Sequence, residues 1–134
     1  LIYGGETTVT IKGSPGKGGR NQELILAAAV ELHRLGAQKQ IAFASFGTDG
    51  IDGASDAAGA ICTGETIHRA RKAGLNPRKL LTDHDSHHFF KTLNDLIITG
   101  QTGTNVADVI VAIHSAPQKR RRTAPTTRSE KSVR

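Results

Sequence analysis

"NDLIITGQTGTNVADVIVAI", residues 94–113, holds two short apolar runs with a loop between them. "DLIITG" and "DVIVAI" are rich in Ile and Val, which is strand character. The connection "QTGTN", 101–105, is made of turn residues. Two strands in succession depart from plain strand–helix–strand alternation. This stretch therefore decides what kind of sheet the chain builds.

Upstream, the elements do alternate. Val9–Ile11 reads as a strand ending at Gly13, followed by the glycine-rich loop "KGSPGKGGRNQE", 12–23. Leu24, Ala28, Leu32 and Leu35 then recur at helical spacing, and Gly36 is a suitable stop. "IAFASF", Ile41–Phe46, is an uncharged apolar run of the kind found in buried strands. "SDAAGAI" reads as a helix start capped by Ser55, and "GETIHRARKAG" as a helix that Gly74 ends. Pro77–Leu81 is a short helical turn, and "DSHHFFKTL" a helix with Asp85 or Ser86 as N-cap. The expected fold class is α/β: a mixed β-sheet with helices packed on its faces. In such folds ligands gather beyond the strand ends. The loops after Ile11, Phe46 and Thr99 all lie there.

The 134 residues suit one domain, and aromatics at 4% leave the core to Ile, Leu, Val and Ala. Charge divides the chain. Residues 114–134 hold seven of the 18 basic side chains and one of the 12 acidic ones, so they carry the whole net charge of +6. The body, 1–113, is neutral and gives no compositional reason to expect nucleic acid. The tail, 114–134, has no apolar periodicity and reads as disordered. Its "QKRRR" is either a solvated end or a contact for RNA, anionic lipid or an import receptor. A single cysteine, Cys62, excludes an internal disulfide framework and reads as a buried thiol rather than a nucleophile. No apolar run reaches the ~18–20 residues of a membrane span. The expected compartment is the cytoplasm; because the chain starts without Met and reads as cut at its N-terminus, the mitochondrion is the alternative.

The glycine-rich loop is the first candidate site. A P-loop needs Lys where Gly19 stands, and Pro15 breaks a GxGxxG pattern. What survives is general: free amides at a helix N-terminus attract anions, and Arg20 adds a planar oxyanion binder. Arg20 also sits at the unfavourable end of the helix dipole, which an anionic ligand would offset. The bland reading is a flexible turn with solvated Lys12 and Lys17. "GTDGIDGASD" groups Asp49, Asp52 and Asp56, suited to Mg²⁺ or to a base, or simply to turns and a cap. Asp83, His84, Asp85, His87 and His88 lack any known zinc spacing, so no metal ligand is assigned. Thr99, Thr102, Thr104 and Asn105 suit a polar substrate or phosphate, or form a β-hairpin loop.

Taken together, "GGETTVT", "GGRNQE", "GTDGIDGASDAAGA" and "NDLIITGQTGTNVADV" resemble the C-terminal MOFRL domain of type II glycerate kinases. Some members of that family carry the label hydroxypyruvate reductase. The resemblance runs from Gly4 to about Ile113 and leaves out the tail. It implies a two-domain clamp in which this smaller α/β domain faces a larger, Rossmann-like N-terminal domain. It implies ATP-dependent phosphorylation of D-glycerate to 2-phosphoglycerate with Mg²⁺, in the cleft between domains. Arg20 matches the arginine of the GGRNQE motif and is implied to be catalytic. Gly18, Gly19, Asn21, Gln22, Asp49, Thr104 and Asn105 are implied to line the same cleft. The N-terminal domain and its lysine are absent here, so the chain alone is expected to lack kinase activity. The family tends to read "NDSY" where this chain has "HDSHH", and the Arg-rich tail is foreign to its pattern. Two other functions compete: an NAD(P)H-dependent hydroxypyruvate reductase fragment, and a non-catalytic binding module.

Overall fold

A computed structural model describes residues 1–36 and 40–115. Five strands and four helices follow in the order β1 Ile2–Gly5, α1 Arg20–Arg34, β2 Ile41–Gly47, β3 Gly59–Thr63, α2 Thr66–Lys72, α3 Pro77–Thr82, α4 Ser86–Leu93, β4 Leu96–Ile97 and β5 Asp108–His114. The strands form one sheet in the order β1-β5-β2-β3-β4. The α/β class holds, and each of the four pairings is antiparallel.

The opening stretch does not form a hairpin. β4 lies at one edge of the sheet, while β5 inserts between β1 and β2. β5 carries five apolar residues in succession, Val109 to Ile113, and gains two ladders there, with Ala44 opposite Val111 and Tyr3 opposite Ile110. The 98–107 connection must therefore cross the sheet's end, past the end of β2.

Two expected elements are corrected. Val9–Ile11 is not a strand: β1 takes the edge position beside β5 through Ile2–Gly5, and the following segment runs past α1 instead. "SDAAGAI" does not start a helix. Asp52 N donates to Ala57 O, Ser55 Oγ donates to Asp52 O, and the chain turns back into β3 against β2. A β-carbon on Gly59 would stand 1.8 Å from Ser45 O, so only glycine allows this close return.

The core lies on one face of the sheet. α1 buries Ile25, Leu26, Ala29 and Leu32, while Leu35 is exposed, so its inner face is rotated from the Leu24–Leu35 stripe. These residues pack with Ile67 and Ala70 of α2, Phe89, Phe90 and Leu93 of α4, and Ala60 and Cys62 of β3. The Phe89 and Phe90 rings meet edge to face, with centroids 5.0 Å apart. α1 ends as expected, with Leu35 as C-cap and Gly36 at φ +64 beyond it. Cys62 is buried among these groups, and burial pushes its thiol up to about 12. β5 extends to His114, one residue past the expected boundary of the body, and residues 116–134 of the tail, "QKRRR" included, lie outside the described residues.

Candidate functional site

The glycine-rich loop is packed, not free. Gly16 N donates to Asp83 O at 2.9 Å, Lys17 N to Asp85 Oδ1 at 3.2 Å, and His87 N to Lys17 O at 2.9 Å. Ala54 N donates to Gly18 O from the other side. A β-carbon on Gly19 would stand 2.4 Å from Asp52 Cγ, and one on Gly53, at φ +61, 2.4 Å from Gly18 O. The glycines let two loops touch backbone to backbone, which a flexible turn would not require. Lys17 Nζ meets Asp56 Oδ1 at 2.9 Å, and His87 Nε2 lies 2.8 Å from the same oxygen. Lys17 first, then the residue's own backbone N–H and His87, hold the Asp56 carboxyl well below the usual carboxylate range.

The N-terminus of α1 already holds an anion. Gly19 is its N-cap and has no side chain to offer. Asp52, 1% exposed, takes over that role from thirty residues away in the chain. Its Oδ1 accepts from Asn21 N at 3.0 Å and Asn21 Nδ2 at 3.2 Å. Its Oδ2 accepts from Gln22 N at 2.8 Å and Gln22 Nε2 at 2.9 Å. Asn21 and Gln22 are buried at 1% and 0%, and their amides serve Asp52, Ser45 and Ser55. The expectation that they line a cleft is not met by this geometry. Their side chains face inward because the Asp52 carboxylate needs four donors once it leaves water.

Unlike Asn21 and Gln22, Arg20 reaches the surface. Its Nε donates to Asp108 Oδ2 at 2.6 Å and its Nη2 to Asp108 Oδ1 at 3.0 Å, a two-point fork. Its Nη1 lies 3.0 Å from Glu6 Oε1. The cost of an arginine at a helix N-terminus is thus offset from within the chain, by Asp108, Glu6 and Asp52. Burial alone would raise the Asp108 carboxyl; the Arg20 guanidinium and the Asn21 side chain together outweigh it, and the net direction is down.

Two depressions flank this fork. A cleft of about 410 Å³ is lined by Thr7, Gly18, Gly19, Arg20, Glu23 and His84, among others. In its wall His84 Nδ1 lies 2.9 Å from Glu23 Oε1. A shallower one of about 360 Å³ is lined by Asp49, Thr104 and Asn105 with Ile51, Gln101 and Gly103. Thr102 joins the loops there, its N donating to Asp49 O at 3.1 Å. A β-carbon on Gly47 would stand 3.0 Å from Asp49 Oδ1 and 3.6 Å from Asp108 Oδ1, so the two carboxylates are neighbours across Gly47. Gly18, Gly19 and Arg20 thus share one depression, and Asp49, Thr104 and Asn105 the other.

Asp108 and Glu6 escape the sequence reading. Both lie inside quoted motifs, but nothing in their spacing ties them to Arg20, 88 and 14 residues away. Mg²⁺ finds no ready ligand set here. Among the described residues no group of three or more His, Cys, Asp or Glu is placed to hold a metal ion. Asp52 and Asp108 direct both oxygens to protein donors, and Asp49 Oδ1 accepts from Ile51 N. In the packed loop the amides of Gly16 and Lys17 are taken by Asp83 O and Asp85 Oδ1, and those of Asn21 and Gln22 by Asp52. What the arrangement offers is one forked, half-exposed guanidinium for a single oxyanion.

The MOFRL family model matches residues 1–108. A protein of Pyrococcus horikoshii named glycerate 2-kinase is 45% identical over 120 residues, covering 90% of this chain and 26% of that protein. Two relatives from Agrobacterium vitis carry the words hydroxypyruvate reductase in their names, at 46% and 47% identity over 110 residues, each match covering 81% of this chain and 24% and 28% of theirs. The crystal structure of a Thermotoga maritima glycerate kinase superposes with a TM-score of 0.80 at 45% identity, covering 86% of this chain and 27% of that one. The chain spans about a quarter of the length of the curated relatives it matches.

Proposed function

Because this chain belongs to the MOFRL family, we propose that it is the smaller domain of an ATP-dependent glycerate kinase. The reaction is transfer of the terminal phosphoryl group of ATP to a hydroxyl of D-glycerate. A bond forms between the glycerate oxygen and phosphorus, the bond to ADP breaks, and the hydroxyl proton is released; the product is 2-phosphoglycerate. The observation that carries the reading is the Arg20–Asp108 fork at the end of the sheet, with an open cleft beside it. Such transfer relies on positioning and on neutralising charge, which a fixed guanidinium supplies.

Arg20 is the catalytic residue in this reading and meets the transferring phosphoryl group or the glycerate carboxylate. Gly18 and Gly19 bring backbone to the cleft wall. Asp49, Thr104 and Asn105 form the second depression across Gly47 and orient a polar substrate there. Asn21 and Gln22 act from behind, through Asp52. Mg²⁺ and the nucleotide are held mainly by a second domain, the rest of the clamp, and the chain alone turns over little or no glycerate. Among the described residues no helix is long and apolar enough to cross a bilayer. A hydride-transfer function finds support in the names of the two Agrobacterium vitis relatives, but nothing at the fork calls for a nicotinamide.

The test is ADP release with D-glycerate, alongside NAD(P)H oxidation with hydroxypyruvate. Both are measured for the chain joined to the larger part of a glycerate kinase relative. Glycerate-dependent ADP release that falls at least ~100-fold in Arg20→Ala supports the proposal. Undiminished turnover in Arg20→Ala, or hydroxypyruvate reduction in place of phosphorylation, overturns it.

A further inference from the structure

Arg20 has two carboxylate partners of very different kinds. Asp108 receives two hydrogen bonds, its side chain is 3% exposed, and it opens β5, in register with Gly47 of β2 and Gly5 of β1. Two backbone ladders therefore hold it in place. Glu6 makes one contact, at 3.0 Å, and its side chain is 62% exposed. It follows the last residue of β1, and next to it Thr7 and Thr8 line the cleft that Arg20 also lines. A buried two-point pair is strong, whereas an exposed one-point pair contributes little and yields to competitors.

We propose that Glu6 is a displaceable stand-in for the ligand's oxyanion on Arg20 Nη1, while Asp108 stays on Nε and Nη2 as a positioning residue. The phosphoryl-transfer reading enters only in naming the ligand class. When an oxyanion arrives, the Glu6 carboxylate swings into the water at the cleft rim and the anion takes its place. Asp108 keeps the guanidinium plane fixed during the exchange, so the ligand meets a preorganised donor. Glu6 thereby sets a threshold: only an anion that competes better than one solvated carboxylate enters. The oxyanion is either a carboxylate or a phosphoryl group, and both can accept from a guanidinium edge.

The experiment titrates the chain with inorganic phosphate, D-glycerate and ATP separately, by calorimetry and by the NMR signal of the Arg20 Nε–H. Glu6→Gln should bind at least one probe about two- to five-fold tighter, the factor that loss of an exposed ion pair corresponds to. Tightening with glycerate alone assigns the carboxylate; tightening with phosphate and ATP assigns the phosphoryl group. Asp108→Asn should weaken the same probe and broaden or shift the Nε–H signal, which a purely local contact at Glu6 would not do. Glu6→Ala repeats the measurement with no side-chain amide. Equal affinity of wild type and both Glu6 variants for all three probes overturns the proposal. So does tightening that persists when Arg20→Lys is added, or absence of binding in every form. If the Glu6 variants tighten binding as expected but the chain joined to the larger part of a glycerate kinase relative releases no ADP with D-glycerate, the phosphoryl-transfer reading fails and this one stands.

Discussion

Replacing Asp52 with alanine should cost more stability than any other single change near the site. The carboxylate accepts four hydrogen bonds, two from backbone amides of the first turn of α1 and two from buried side-chain amides. Its removal leaves four N–H groups without the acceptor they now have. Each abandoned buried donor costs about 1–3 kcal/mol, and loss of an N-cap costs about 0.5–2 kcal/mol. These terms overlap, because the donors share two oxygens and Gln22 Nε2 keeps Ser55 Oγ at 2.8 Å. A net loss of about 3–5 kcal/mol follows, against a total of about 5–15 kcal/mol for an ordinary domain. With a urea slope of about 2 kcal/mol per molar, the unfolding midpoint should fall by about 2 M. Circular dichroism of the helices against urea measures it, with Asp52→Asn as the same-sized control. A midpoint that moves by less than about 0.5 M in Asp52→Ala would refute the claim that this carboxylate caps α1.

Two further outcomes are expected. The Asp108 carboxyl titrates below its ordinary value in the folded chain, so its ion pair contributes stability above the unfolded value near 3.8, and that contribution is lost as pH falls through the lower folded value. Asp108→Asn should therefore be less stable than wild type at pH 7 and lose less on acidification, read from urea midpoints between about pH 7 and pH 3; parallel curves would contradict the pairing. Cys62, 1% exposed with its thiol pushed up to about 12, should react with a disulfide reagent at pH 8 at least ~100-fold more slowly in the native chain than in denaturant.

The local elements were legible where local forces set them. The 3.6-residue spacing after Leu24 and Gly36 beyond it define α1, although the buried face is the Ile25–Ala29–Leu32 stripe because Asn21 and Gln22 also point inward. "IAFASF" is β2, paired by β3 on one side and β5 on the other, although its apolar side chains are half-buried rather than buried because the core covers one face of the sheet. "SDAAGAI" misled because alanine favours helix, while Gly59 and the Ser55 turn favour a tight return that only the neighbouring strand reveals. Val9–Ile11 misled for the converse reason: a β-prone triplet stays irregular when the chain carries it past α1 rather than along a strand.

By itself the sequence determined α1, β2 and the short helices, the family motifs and Arg20 as the residue of interest. It even indicated that a cation at a helix N-terminus needs an anion. Only the tertiary structure decided which anion. Asp52 enters the helix end, and Asp108 and Glu6 take the guanidinium, because β5 inserts between β1 and β2 and carries Asp108 to the mouth of α1. Strand order depends on which ladders bury the most apolar surface across the whole chain, and no window of neighbouring residues contains that comparison.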